Sequence, residues 1–197
     1  EFRRVLFRSL SLITTQLNQH LRRSFQLNED LAILSNLLEP DGSPVLHANQ
    51  KVVMFLAGIE PIDSAQGGLG AETKDHTHGP FLDLVNCPLL VMCAANFSGN
   101  NYPEGLKFLY STIQFFQKHP VLNRENTPSL DPQLDKLILS IENKPASELN
   151  NLWNIHNNGL YLPSVIYRVQ VFGANSEGQA KHIDALPIRL GAPSWQL

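Results

Sequence analysis

Residues 81–128 have the sequence FLDLVNCPLLVMCAANFSGNNYPEGLKFLYSTIQFFQKHPVLNRENTP, which predicts a buried strand, then a helix, then a polar loop. The strand is predicted because residues 84–95 form an almost continuous apolar run, which is typical of a strand covered on both faces. Pro88 interrupts this run and cannot donate to a strand ladder, so we expect either a bulge at Pro88 or full pairing only from Leu89 onward. The stretch carries no catalytic motif, and it therefore indicates a protein that works through packing surfaces.

The helix is predicted by signals at both of its ends. Asn101 stands at the expected N-cap, Pro103 suits a first turn, and Glu104 complements the positive end of the helix dipole. Pro120 stops the helix at the other end. We therefore expect the helix to follow the strand almost directly.

The same helix has two apolar sides. At about 100° per residue, one side is expected to lie on the sheet and holds Leu106, Leu109, Tyr110, Ile113 and Phe116. Phe108 and Phe115 project from nearly the opposite side. Either a second layer of the same domain covers them, or they mark a contact between subunits. The candidate interface residues are therefore Phe108, Phe115 and Thr112.

Composition limits the class of protein. The chain has 197 residues, of which 43% are hydrophobic and 17% charged, as expected of one globular domain with a sizeable core. A formal net charge of −3 gives no general attraction to nucleic acid, and no apolar run is long enough to span a membrane. Cys87 and Cys93 share one apolar run, so we expect buried, reduced thiols.

We divide the chain into a non-native extension (residues 1–9), a single domain (residues 10–191) and a short tail (residues 192–197). The extension is inferred from EFRRVLFRS, which crowds three arginines into a short apolar stretch without a signal-peptide cleavage site.

The remaining pattern predicts an α+β fold. Helices are expected at residues 10–25 and 146–157, and strands at residues 31–38, 51–59, 134–142, 161–172 and 188–190. Residues 61–80 and 123–132 are polar loops. The fold class is a single domain with a mixed, mostly antiparallel sheet and about three helices packed on it.

Three groups of residues have the composition of chemical sites, and each has an ordinary explanation. Asp75, His76 and His78 lie in a loop without a further ligand for zinc. QGGLG at residues 66–70 lacks the lysine of a phosphate-binding loop. Asp131 and Asp135 flank a strand entrance, where turn roles are usual. We expect no enzyme, no cofactor and no metal site.

Four segments carry a resemblance to a known family. They are LITTQLNQHLRRSF at residues 12–25, AANFSGNNYPEGLKFLYSTIQFFQ at residues 94–117, NTPSLDPQLDKL at residues 126–137 and ELNNLWNIHNNGLYLPSVIYRVQV at residues 148–171. Together they resemble the N-terminal domain of tail-terminator, or sheath-capping, proteins. Those proteins belong to extracellular contractile injection systems of the antifeeding-prophage and virulence-cassette type.

The resemblance implies a structural role. It implies a homo-oligomer, a six-fold ring, that binds sheath and inner tube proteins and ends tail polymerisation. It also implies assembly in the bacterial cytoplasm, followed by residence in a contractile particle. The alternative is an adaptor or baseplate-like module of the same machinery. A ring needs two different surface patches, and an unpaired strand edge would allow strand addition to the sheath. Residues 161–172 are a candidate for this edge, although their alternation fits an interior strand equally well.

Overall fold

A mixed β-sheet forms the centre of the domain in the computed structural model, which describes residues 2–60 and 88–173. Among these residues the sheet has six strands: β1 Ala32–Leu34, β2 Lys51–Ile59, β3 Leu89–Asn96, β4 Val121–Asn123, β5 Leu134–Ile141 and β6 Ser164–Gly173. Their order across the sheet is β1-β2-β3-β6-β5-β4. The strands β1 and β2 run parallel, and every other neighbouring pair is antiparallel.

Helices cover both faces of the sheet. The α-helices of the described residues are α1 Phe2–Phe25, α2 Tyr102–Lys118 and α3 Ala146–Asn157, and short 3-10 helices occupy Leu46–Ala48 and Gly99–Asn101. The helices α1 and α2 pack on one face, in a core cluster that includes Leu17, Val91 and Phe116. The helix α3 packs on the other face, where Trp153 joins Met92 and Ile166. The result is a three-layer arrangement with two apolar cores.

The sequence pattern explains why the inner strands are buried on both faces. In β3 successive side chains alternate between the two cores, so that Val91 and Cys93 join the first core while Leu90 and Met92 join the second. The predicted α+β class with a mixed sheet and three helices is confirmed. The predicted bounds of β2 and α3 are also confirmed, and β3 begins at Leu89, directly after Pro88.

Several predicted bounds were wrong. The helix α1 begins at Phe2 and not at residue 10, so it runs through residues 2–9 without a break. The strand β1 has three residues where eight were expected, and β4 was not predicted. The strand expected at residues 188–190, the loop at residues 61–80 and the tail at residues 192–197 lie outside the described residues.

The strand β6 lies between β3 and β5, and it is therefore an interior strand. Residues 161–172 were a candidate for an unpaired edge, and the observed order of strands corrects that interpretation. The alternation of Val165, Tyr167 and Val169 reflects burial under α1 and α2. The outermost strands of the described sheet are β1 and β4.

Candidate functional site

The helix α2 follows β3 after one short 3-10 turn. Pro103 and Glu104 occupy its first turn as expected. Asn101 stands at the N-cap in a helical conformation, and its side chain caps no N–H group of the described residues. The N-terminal end of α2 is therefore set by proline, the helix dipole and the preceding 3-10 turn.

The buried side of α2 lies between the two apolar sides that the sequence predicted. Leu109 and Phe116 are buried, but Leu106 and Tyr110 are exposed, which corrects the prediction that all of them face the sheet. The reason is that α2 packs against two neighbours at once. Phe116 meets the ring of Tyr167 on β6 at 5.2 Å between centroids, whereas Phe108 meets the ring of Phe25 on α1 at 4.9 Å.

The three predicted interface residues lie close together on the side of α2 that faces α1. Phe108 is 8% exposed and Thr112 is fully buried, so a second layer of the same chain covers both of them. The hydroxyl of Thr112 donates to the carbonyl oxygen of Phe108 at 2.8 Å. Phe115 is half-buried. Of the two alternatives that the sequence left open, cover by a second layer of the same chain is the one observed for Phe108. The assignment of Phe108, Phe115 and Thr112 to a contact between subunits stays a prediction.

His20 joins α1 to this side of α2. Its ring stacks on the ring of Phe115 at 4.7 Å between centroids, and its Nε2 lies 2.9 Å from the hydroxyl oxygen of Ser111. Partial burial lowers the pKa of His20 below its usual value, and the nearby positive ends of His119 and Lys118 lower it further. The contact between the two helices is therefore strongest when His20 is neutral.

The opposite side of α2 carries three exposed apolar side chains, which we call the α2 stripe: Tyr102, Leu106 and Tyr110. They are four residues apart and lie along one side of the helix. Because Phe108 and Phe115 point towards α1, the α2 stripe points away from α1. Tyr110 is 62% exposed, and such a row of large apolar side chains often marks a contact surface.

A groove of about 740 Å³ lies beside the N-terminal half of α1. The first turns of α1, the segment around β1 and the last turn of α3 form its walls, and Glu39 and His156 are the titratable side chains among the described lining residues. Two large side chains at the groove, Phe7 and Ile155, are mainly exposed. The chain therefore presents a row of exposed apolar side chains and a groove lined by both apolar and polar residues.

A cluster of charges on the α3 face connects the middle of β6 to the residues that follow β2 and β5. Arg168 on β6 contacts Glu60 at 2.7 Å and Glu142 at 3.0 Å, and Lys144 contacts Glu60 at 3.1 Å. The Arg168 hydrogen bond holds the pKa of Glu142 below its usual value, and the Glu60 hydrogen bond raises that of Lys144. Each charge is neutralised by a neighbour, so we interpret the cluster as structural: its ion pairs hold these segments of the chain together.

Of the residues that the sequence offered as candidates for chemistry, Cys93, Asp131 and Asp135 lie among the described residues. No group of three or more potential metal ligands occurs among them, while Asp75, His76, His78, Cys87 and residues 66–70 lie outside them. Cys93 is fully buried, and this burial raises its thiol pKa to about 12, which makes it unreactive. Asp131 accepts a hydrogen bond from the N–H of Gln133 and pairs with Arg8, as expected of a turn residue.

Sequence reasoning missed the α2 stripe and the groove. The spacing of Tyr102, Leu106 and Tyr110 was visible in the sequence, but apolar periodicity alone assigned two of these residues to the core. The groove is formed by segments that are distant in sequence, so no local sequence pattern indicates it.

The described helices do not combine the length and apolarity needed to cross a bilayer. The profile of one protein family, described as the Pvc16 N-terminal domain, matches residues 11–185. A comparison with curated proteins finds no match.

Proposed function

The chain belongs to the Pvc16 N-terminal domain family of the antifeeding-prophage and virulence-cassette type systems, and on this basis we propose that it caps a contractile tail. In this proposal the protein is not an enzyme. It assembles as a ring, covers the end of the tube and sheath, and stops their polymerisation. The family match over residues 11–185 is the observation that carries the proposal.

The surface of the chain supports the proposal that it assembles with copies of itself. A closed ring uses heterologous contacts, in which two different patches of neighbouring subunits meet. The α2 stripe and the groove are two such patches, built from different elements of the chain. We propose that the α2 stripe of one copy enters the groove of the next, which would bury Tyr110 and Ile155 together.

The proposed site of assembly replaces the one inferred from the sequence. Phe108 and Thr112 fill the space between α1 and α2, so they support the surface without forming it. Tyr102, Leu106 and Tyr110 are accessible without any change in the fold. This difference in accessibility makes the outward side of α2 the better candidate for the contact between copies.

The decisive experiment compares particles made with and without this chain by electron microscopy. A terminator limits growth, so its removal is expected to give tails of uncontrolled length. Tails of normal length that lack a baseplate or cargo component would overturn the capping role and favour the adaptor alternative. The mass of the purified protein in solution, measured by light scattering, tests ring formation separately.

A further inference from the structure

Each of the two outermost strands of the described sheet has backbone N–H and C=O groups that no neighbouring strand of the sheet binds. An edge strand presents N–H and C=O groups that a strand from another chain can bind. Among the described residues β1 and β4 are the edges. In each of them an asparagine side chain binds two outward-facing backbone groups, both of Ala32 at β1 and one each of Val121 and Asn123 at β4.

At the β1 edge the asparagine comes from α1. The carbonyl oxygen of Leu31 accepts from the N–H of Val52, and the N–H of Ser35 donates to the carbonyl oxygen of Met54, so Ala32 faces away from β2. The Asn18 side chain binds both outward groups of Ala32. Its Oδ1 accepts from the Ala32 N–H at 2.8 Å, and its Nδ2 donates to the Ala32 carbonyl oxygen at 2.7 Å.

At the β4 edge the asparagine comes from the loop that follows the strand. The N–H of Leu139 donates to the carbonyl oxygen of Pro120, which turns Val121 and Asn123 away from β5. The Asn126 Nδ2 donates to the carbonyl oxygen of Val121 at 2.8 Å, and its Oδ1 accepts from the N–H of Asn123 at 2.9 Å. The amide therefore occupies positions that an added strand would use.

Each amide is held in place by further contacts. Asn18 is 7% exposed, and its Oδ1 also accepts from the N–H of Leu31 at 3.0 Å. The N–H of Asn126 donates to the Asn123 Oδ1 at 3.0 Å, and the hydroxyl of the buried Thr127 donates to the Asn126 Oδ1 at 2.9 Å. A side-chain amide has one acceptor and donors in a plane, as a peptide group does, so it is a suitable substitute for the backbone of a neighbouring strand.

We propose that Asn18 and Asn126 close the two edges of the sheet and prevent a second copy of the chain from adding a strand there. Contacts between copies are then left to side chains on the helical surfaces. This inference is independent of the capping function, because it follows from the hydrogen bonds at β1 and β4 alone.

The test removes the asparagine side chain from one edge of the sheet and measures association between copies of the chain. The variant Asn126→Ala removes both hydrogen bonds at β4, and we expect species larger than those of the parent, by sedimentation velocity, with an infrared band for intermolecular β-structure. The variant Asn126→Asp keeps the acceptor and adds a charge that opposes edge pairing, so we expect the mass of the parent. The control Asn150→Ala changes an exposed asparagine on α3 and should also keep that mass.

A folded Asn126→Ala variant with the mass of the parent would overturn the proposal. If that variant does not fold, hydrogen exchange on the parent protein tests whether the asparagines cover the edge groups. The amide hydrogens of Ala32 and Asn123 are expected to exchange slowly although they face outward from edge strands. Exchange at the rate of an open strand edge would show that the asparagines do not occupy these groups.

Discussion

Gly105 is the point at which α2 comes closest to the end of β3. A methyl group added there would lie 2.7 Å from the Cβ of Phe97, a distance that ordinary packing does not allow. Alanine favours a helix by about 1 kcal/mol over glycine, but overpacking a core costs about 1–3 kcal/mol. We therefore expect Gly105→Ala to lower the free energy of unfolding, measured with urea.

The matched control for this change is Gln117→Ala, on the exposed part of the same helix. It should leave stability within about 0.5 kcal/mol of the parent. A Gly105→Ala protein more stable than the parent would mean that α2 does not approach Phe97 this closely.

His20 makes the contact between α1 and α2 sensitive to pH. Its pKa is lowered in the folded chain, so the unfolded chain binds the proton more readily. Stability should therefore fall as the pH drops below about 6.5, the ordinary value for histidine, towards the lower folded value. We expect the thermal midpoint to fall between pH 7.5 and 5.5, and to fall less in His20→Gln.

The comparison isolates His20 because the other charged groups at this contact, His119 and Lys118, are unchanged in the variant. The control His47→Gln alters an exposed histidine and should keep the fall seen in the parent. An equal fall in the parent and in His20→Gln would remove His20 as the cause.

Among the secondary-structure elements, α1 departs most from its predicted bounds. Val5 and Ser9 are buried, and Arg8 pairs with Asp131. Burying one valine side chain stabilises a protein by about 1.5–3 kcal/mol. A chain that begins at Leu10 should therefore be less stable than the full chain by about this amount, as measured by urea unfolding.

Two results would separate the possible roles of residues 1–9. Phe7 is 64% exposed, so Phe7→Ala should leave stability unchanged and serves as the control. Equal stability of the shortened and full chains would show that residues 1–9 contribute nothing to the stability of the fold.

The elements that the sequence predicted well are those with a strong local signal. The strand β2 is a continuous apolar run, and Pro145 begins α3 at the expected residue. The strand β4 was missed because three residues are too few to show a period. The orientation of α2 was missed because an apolar pattern shows that residues are buried but not which neighbours bury them. Phe108 packs on α1, and nothing near it in sequence indicates that contact.

The properties of the whole molecule that matter for assembly depend on the order of the strands. Local patterns do not determine that order, which is why residues 161–172 were a candidate edge although β6 is interior. The same order makes β1 and β4 the edges of the described sheet and gives Asn18 and Asn126 their importance. The α2 stripe and the groove are the two surfaces for which we propose contacts between copies.

This arrangement predicts how two defective variants behave when they are mixed. Tyr110→Asp places a charge in the α2 stripe but keeps the groove, and Ile155→Asp damages the groove but keeps the stripe. Each variant alone should be monomeric by light scattering. A mixture can form one intact contact per pair, so it should give a heterodimer and no ring.

The control Asn150→Asp adds the same charge at an exposed position and should assemble like the parent. Rings formed by either single variant, or a mixture that stays monomeric, would contradict the contact between the stripe and the groove. The heterodimer would show that the stripe of one copy meets the groove of another. The mass of the parent, either a closed ring of more than two subunits or a dimer, then distinguishes a head-to-tail ring from a two-fold dimer.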